Sequence, residues 1–179
     1  MSDMKKTGPG AISAAESIDL PIGKAILASN GSGLVSVTFD FEDPALIRKK
    51  IIRIAGIDLD YSKLSGDHIT ATAVEQLKKY FSGSLRSFDV PLQLWGTPFQ
   101  IAVYMAMLDI PFGKTESYGS IARRIGSPKA SRAVGMACGS NPIPVIVPCH
   151  RIIGSDGSLT GFGLGLDVKQ RLLGLEQLI

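Results

Sequence analysis

The stretch SYGSIARRIGSPKASRAVGMACG, residues 117–139, holds two short helical patterns in tandem. The first can start at Ser117 and stop at Gly126. The second has Ser127 as N-cap, Pro128 in the first turn and Gly139 as its stop. Two helices across a tight Gly-Ser turn are a helix-turn-helix candidate. On the second helix, at roughly 100° per residue, Ala130, Ala133, Val134 and Ala137 share one face, while Ser131, Arg132, Gly135 and Gly139 gather on the other. The outward face reads as bare apart from one arginine. An exposed mid-helix glycine costs about 1 kcal/mol relative to alanine. Close approach to another surface would compensate. DNA's minor groove, only about 6 Å wide, is one such surface, and tight helix-helix packing is the other.

Outward from this stretch the chain reads as one folded protein of two lobes. Its 179 residues, 45% of them hydrophobic, suffice for a core. Residues 1–17 read as a flexible tail, residues 18–92 as an N-terminal α/β lobe and residues 93–179 as a mostly helical C-terminal lobe. In the first lobe, GKAILASNGSGLVSVTFD alternates on both sides of Asn30-Gly31-Ser32 as a β-hairpin does. DPALIRKKIIRIAG, with Pro44 in its first turn, and GDHITATAVEQLKKYFSG, stopped by Gly83, are helical, and SLRSFDVPLQL is extended. In the second lobe, Thr97 and Pro98 open a helix ended by Pro111 and Gly113. GLDVKQRLLGLEQLI closes the chain as an amphipathic helix.

Net charge is only +3, yet residues 114–151 carry six basic side chains (Lys114, Arg123, Arg124, Lys129, Arg132, Arg151) against one acid, Glu116. Such a patch suits a polyanion, and equally a solvated helix surface. No apolar run approaches the ~20 residues of a membrane span. Two cysteines, Cys138 and Cys149, make neither a disulfide framework nor a zinc spacing and point to a reducing compartment.

NPIPVIVPCHRIIG, residues 141–154, places Cys149 beside His150 and Arg151 at the end of what reads as a buried strand. A cysteine is nucleophilic as its thiolate, which a nearby base or positive charge favours. Adjacent residues on an extended segment point apart, so Cys149 and His150 cooperate only across a turn or a water. A histidine base also needs an orienting acceptor, for which Glu176 is a candidate. Cys138, between Ala137 and Gly139 with no base nearby in sequence, reads as packing.

PCHR within residues 141–176, preceded by GTPFQIAVYMAMLDIPFGKTESYGSIARRIGSPKASRAVG, resembles the O6-alkylguanine-DNA alkyltransferases, one-use repair proteins that take an alkyl group from guanine onto a cysteine. The resemblance is close over about 85 residues, roughly 96–176, and looser before them. It implies an α/β first lobe and a second lobe with a winged-helix-like helix-turn-helix. Cys149 would accept the alkyl group, His150 would draw its proton through a water, Glu176 would orient His150 and Asn141 would fix the turn holding the cysteine. Tyr118 would press on the phosphate beside the lesion and reach the guanine, while Arg132 would fill the stack left by the flipped nucleotide. Ala130, Ser131 and Gly135 would line the minor groove, and Arg151 would join the DNA-binding set. Cys149, Ile152 and Gly163 would contact the guanine, with Phe162 as a wall.

The resemblance further implies double-stranded DNA as partner, O4-alkylthymine as a second substrate, a monomer, and a cytoplasmic location, or a nuclear one in a eukaryote. No cofactor and no metal are expected, since the first lobe has no cysteine and only His68, whereas some relatives hold zinc there. Tyr104, Phe162 and Leu164 depart from common family choices and touch pocket shape. Cys149 argues against the non-reactive relatives, which have tryptophan at that position. Two other readings are a DNA binder without enzymatic activity and a Cys-His hydrolase that turns over.

Overall fold

The computed structural model describes residues 7–40 and 65–177. The helix expected over DPALIRKKIIRIAG lies outside the described residues. The chain divides into two compact units, Thr7–Trp95 and the segment from Gly96 on.

The first unit is built on an antiparallel sheet of β1 (Ala14–Leu20), β2 (Gly23–Ser29) and β3 (Leu34–Asp40), in that order. The expected hairpin is β2–β3. Asn30 makes its turn: the side-chain oxygen accepts from the amides of Ser32 and Gly33 at 3.0 and 3.1 Å, and Gly31 takes a φ of 79° that favours glycine. Strand β1 corrects the expected tail. Residues 14–17 are not a free leader but pair with Ser29 to Ile26 of β2, because Ala14 and Ala15 are small enough to bury against the sheet. Helix α1 (His68–Phe81) packs on this sheet. It starts in a capping box in which the Asp67 carboxylate accepts from the amides of Ile69 and Thr70, and Gly83 follows its end at φ 76°.

The segment after α1 returns along β3. The Leu34 amide donates to the Pro91 carbonyl at 2.8 Å, the Gln93 amide donates to the Leu34 carbonyl at 2.9 Å, and the Trp95 indole donates to the Val35 carbonyl at 2.8 Å. Trp95 then buries with Ala15, Ala28 and Val35. These bonds tie residues 93–95 to the first unit, whereas the sequence had placed them in the second.

The second unit is mostly helical: α2 (Pro98–Leu108), α3 (Tyr118–Arg124), α4 (Ser131–Gly139) and α5 (Leu166–Leu175), with the two-residue strands β4 (Glu116–Ser117) and β5 (Ile152–Ile153). Thr97 and Gln100 form a capping box at α2, with Pro98 at its start. Ser117 caps α3 by accepting from the Ser120 amide at 3.1 Å, and Gly126 ends it at φ 73°.

Helix α4 starts three residues later than expected. The Ser127 amide is held by the Ala122 carbonyl at the end of α3, and the Ala130 amide closes a turn onto the Ser127 carbonyl. Ser127 and Pro128 are thereby committed to the inter-helix turn, and Ala130 takes the N-cap position without a side-chain cap. Val134, Ala137 and Cys138 face the core. The outward face is not bare: Met136, one turn beyond Arg132, is 70% exposed.

Candidate active site

The apolar run before Cys149 is buried but is not a strand. Prolines at 142, 144 and 148 remove the amide donors a ladder needs. The run folds instead as consecutive turns, with the Val147 amide on the Ile143 carbonyl at 2.9 Å and Val145 at a φ of 76°. Asn141 holds these turns. Its amide nitrogen donates to the Val147 carbonyl at 2.8 Å and to the Cys149 sulfur at 3.1 Å, and its oxygen accepts from the Ile143 amide at 3.0 Å.

Cys149, His150 and Arg151 then form a single 3-10 turn, which leads into β5. Strand β5 pairs in parallel with β4, matching Ile152 with Glu116 and Ile153 with Ser117. This short ladder sets the cysteine turn beside the start of α3, where Tyr118 stands. The Tyr118 hydroxyl donates to the Gly161 carbonyl at 3.4 Å and meets the Thr160 hydroxyl at 3.3 Å.

His150 is fully buried, and its Nε2 lies 2.9 Å from Glu176 Oε1. With the Nε2 proton directed at the carboxylate, Nδ1 is the basic nitrogen. Burial pushes the Cys149 thiol up to about 11, against the Asn141 hydrogen bond and the Lys169 charge, which both pull it down. Burial also holds His150 below the ordinary histidine value, against the pull of Glu176. The site therefore offers a protonated thiol and a neutral imidazole, a pair that needs proton removal when sulfur attacks. Cys138, bonded to the Met107 sulfur, is pushed up to about 12 by burial. Among the described residues no histidine or carboxylate hydrogen-bonds to it.

Two family models match this chain: 6-O-methylguanine DNA methyltransferase, ribonuclease-like domain, over residues 15–94, and 6-O-methylguanine DNA methyltransferase, DNA binding domain, over residues 98–178. The chain belongs to the 6-O-methylguanine DNA methyltransferase family. It is 47% identical over 156 residues to a methylated-DNA–protein-cysteine methyltransferase of Methanosarcina acetivorans, covering 87% of this chain and 93% of the relative. A protein of that name from Mycobacterium tuberculosis is 47% identical over 160 residues, covering 89% and 90%. The crystal structure of Mycobacterium tuberculosis OGT in complex with DNA superposes with a TM-score of 0.76 at 44% identity, covering 92% of each chain.

Within this methyltransferase fold the expected residues fall into two groups. Asn141, Cys149, His150 and Glu176 are buried together around the cysteine turn. Ile152 is buried beside them in β5, while Phe162 is half-buried and Gly163 exposed on the loop before α5. Ala130 and Ser131 are half-buried at the start of α4 and Arg132 is exposed there. Gly135 faces the Tyr118 ring, where a β-carbon would sit 3.7 Å from the ring edge. Small size at that position thus serves the packing of α3 on α4 as well.

Arg151 is the correction. It is only 6% exposed and grips Glu176, with its Nε 2.9 Å from Oε2 and its Nη2 2.9 Å from Oε1, while Nη1 donates to the Ile110 carbonyl at 2.6 Å. A guanidinium so enclosed cannot reach a phosphate. Arg124 is likewise engaged, paired with Glu116. The exposed positive surface of the stretch is then Lys114, Arg123, Lys129 and Arg132, with Arg124 partly neutralised.

Sequence reasoning also missed Lys169. Its ammonium donates to the Ile152 and Thr160 carbonyls at 2.5 and 2.9 Å and joins β5 to the loop before α5. The signal was present: Lys169 falls on the apolar face of α5 with Val168, Leu172 and Leu173.

Asn141→Ala is expected to destabilise the protein by about 2 kcal/mol, since it strands the buried Ile143 amide and leaves the Val147 carbonyl with the Cys149 amide as its remaining donor. Urea unfolding of the two proteins checks this, and an unchanged midpoint would mean that the turns hold without Asn141.

Proposed function

We propose that Cys149 takes the alkyl group directly from O6-alkylguanine in DNA and keeps it. The activity is that of a methylated-DNA–protein-cysteine methyltransferase, a DNA repair activity by direct reversal. The observation that carries the residue assignment is the buried series Asn141, Cys149, His150 and Glu176, joined at Asn141–Cys149 and at His150–Glu176. In the reaction the Cys149 sulfur attacks the alkyl carbon and the bond from that carbon to O6 breaks. Guanine leaves with the electron pair and is protonated. The thiol proton passes to His150 through a water, with Glu176 stabilising the charged ring. The product is a thioether, which water does not readily cleave, so each molecule acts once. No cofactor is required by these steps. O4-alkylthymine, with an alkyl-oxygen bond of the same kind, is a second substrate of this reading.

Double-stranded DNA is the partner, and the buried thiol means the lesion must come to it. Extruding a nucleotide costs a few kcal/mol in lost stacking and pairing. Arg132, exposed at the start of α4, is the side chain assigned to the vacated stack, with Ala130, Ser131 and Gly135 against the minor groove and Tyr118 at the flanking phosphate. One chain carries both the acceptor and the DNA-binding face, so the reading needs a monomer only. Among the described residues no helix is long and apolar enough to cross a membrane. Two free thiols support the cytoplasm, or a eukaryotic nucleus, as the compartment.

Intact-mass measurement after exposure to an oligonucleotide containing O6-methylguanine tests the assignment. One methyl equivalent per chain, mapped to Cys149, is expected; a modification elsewhere or none overturns it. Flipping and chemistry separate in a second comparison. Arg132→Ala is expected to slow repair of duplex DNA on the order of tenfold while sparing reaction with free O6-benzylguanine, because a free base needs no extrusion. Gly135→Leu should weaken duplex binding, whether its bulk meets the groove or displaces the Tyr118 ring on which α4 packs. Equal losses on both substrates would instead place Arg132 in support of the pocket or fold.

A further inference from the structure

On the outward side of α4 the exposed positions are Arg132, Met136 and Gly139, and exposed Lys129 stands just before the helix. Residues three or four apart on a helix are neighbours, so these positions form one ridge. Met136 is the bulky apolar side chain on it. Val134, Ala137 and Cys138 turn to the core, Gly135 faces the Tyr118 ring, and a β-carbon at Gly139 would meet nothing within 4 Å. Among the described residues Met105, Leu108, Met136 and Leu166 are the large hydrophobics left exposed, and Met136, at 70%, is the most exposed of them. A single exposed apolar residue is ordinary on a protein surface. What sets Met136 apart is its place, one turn beyond Arg132 on a ridge that also carries positive charge.

We propose that Met136 is a DNA-contacting residue that supplies an apolar, salt-independent part of the affinity for duplex DNA, by burying its thioether against the sugar walls of the minor groove. The inference deepens the reading of α4 as the minor-groove helix and rests on it.

A thioether carries no charge and is only a weak acceptor, so it gains nothing from a phosphate. Its favourable contacts are the apolar faces of deoxyribose and the base edges. The groove is about 6 Å wide, which admits an unbranched, flexible side chain more easily than a branched one. Minor-groove proteins place methionine, among other apolar side chains, against the duplex in this way. Four residues of helix advance about 6 Å, close to two base-pair steps of ~3.4 Å, so Met136 meets the duplex beside the extruded nucleotide and not at it. Met136 thus seats the helix in the groove while Arg132 acts at the vacated stack. Burying a side chain that starts in water is favourable in proportion to the apolar area covered, and it releases no counterions.

The test is a fluorescence-anisotropy titration of a labelled duplex without a lesion, so that no transfer consumes the protein. Met136→Ala is expected to weaken binding about five- to tenfold. The ratio to the parent should stay constant from about 50 to 200 mM salt, because no phosphate contact is lost. Arg132→Ala, which removes a charge from the same ridge, should show a deficit that shrinks over that range. Met136→Leu, apolar and of similar volume, should bind within about twofold of the parent. Since Met136 is exposed, both of its variants should unfold in urea at the parent's midpoint.

A Met136→Ala protein that binds like the parent overturns the proposal, and so does a deficit that shrinks as salt rises, since the loss would then be electrostatic. A Leu variant as weak as the Ala variant also overturns it, as does a loss that tracks a lowered unfolding midpoint. If Arg132→Ala and Met136→Ala both bind like the parent, α4 is not the DNA-facing helix, and the reading beneath the proposal falls with it. If only Arg132→Ala loses affinity, that reading stands and Met136 alone is struck. Should the parent bind duplex DNA but fail to alkylate Cys149, the alkyl-transfer reading falls, while the binding comparison still decides Met136.

Discussion

Cys149→Ser is expected to abolish alkyl transfer, with the single-turnover rate falling at least about a thousandfold, on the order of 4 kcal/mol in activation free energy. The replacement keeps the size of the side chain and the hydrogen bond from Asn141, so the turn around it should persist and DNA binding with it. What is lost is a polarizable, acidic nucleophile: an alcohol is far less ionised than a thiol under the same base. Cys138→Ser is the matched control, since Cys138 lies on α4 against Met107 and outside the proposed relay. Intact mass after incubation with alkylated DNA reads both variants, and transfer surviving in the Cys149 variant would remove the central assignment.

Glu176→Ala is expected to act on stability and rate together. It leaves the Arg151 guanidinium buried without its carboxylate, a loss of about 3–5 kcal/mol for a broken buried pair. It also takes from His150 the acceptor that fixes its ring, and the transfer rate at pH 7 should fall on the order of 100-fold. The pH dependence has a definite sign. Because burial holds the Cys149 thiol up at about 11, each unit of rising pH below that value yields about tenfold more thiolate without help from a base. The deficit of the variant should therefore narrow from pH 7 to pH 9. Urea unfolding measures the first effect and single-turnover kinetics across that range the second; a rate ratio that stays constant with pH would count against the relay.

Local signals in the sequence reached far into the fold because they concern neighbours along the chain. Asn30-Gly31 as a turn, Thr97 and Pro98 as a helix start, and Gly83 and Gly126 as stops all depend on backbone geometry within a few residues. The pairing of His150 with Glu176 spans 26 positions and came from chemical need, the base requiring an acceptor. What escaped depends on tertiary context. Arg151 next to a histidine looks like surface charge until the Ile110 carbonyl and Glu176 enclose it. Ser127-Pro128 has the chemistry of a helix start, and only the bond from the Ser127 amide to Ala122 commits it to the preceding turn. The residues 143–147 have the composition of a strand. The prolines were the evidence against it, and they outweigh β-propensity because a missing donor cannot be replaced by packing.

Val145 holds a φ of 76°, a conformation that a β-branched residue adopts at a cost of roughly 1–3 kcal/mol. Its neighbours Ile143 and Val147 are both bonded to the Asn141 side chain, so the unfavourable torsion is retained by anchors on either side of it. Relaxing it would require giving up those anchors. The segment that ends at Cys149 is thus preorganised: folding supplies the distortion once, in advance, and sulfur attack then starts from a fixed seat with little rearrangement left to raise the barrier.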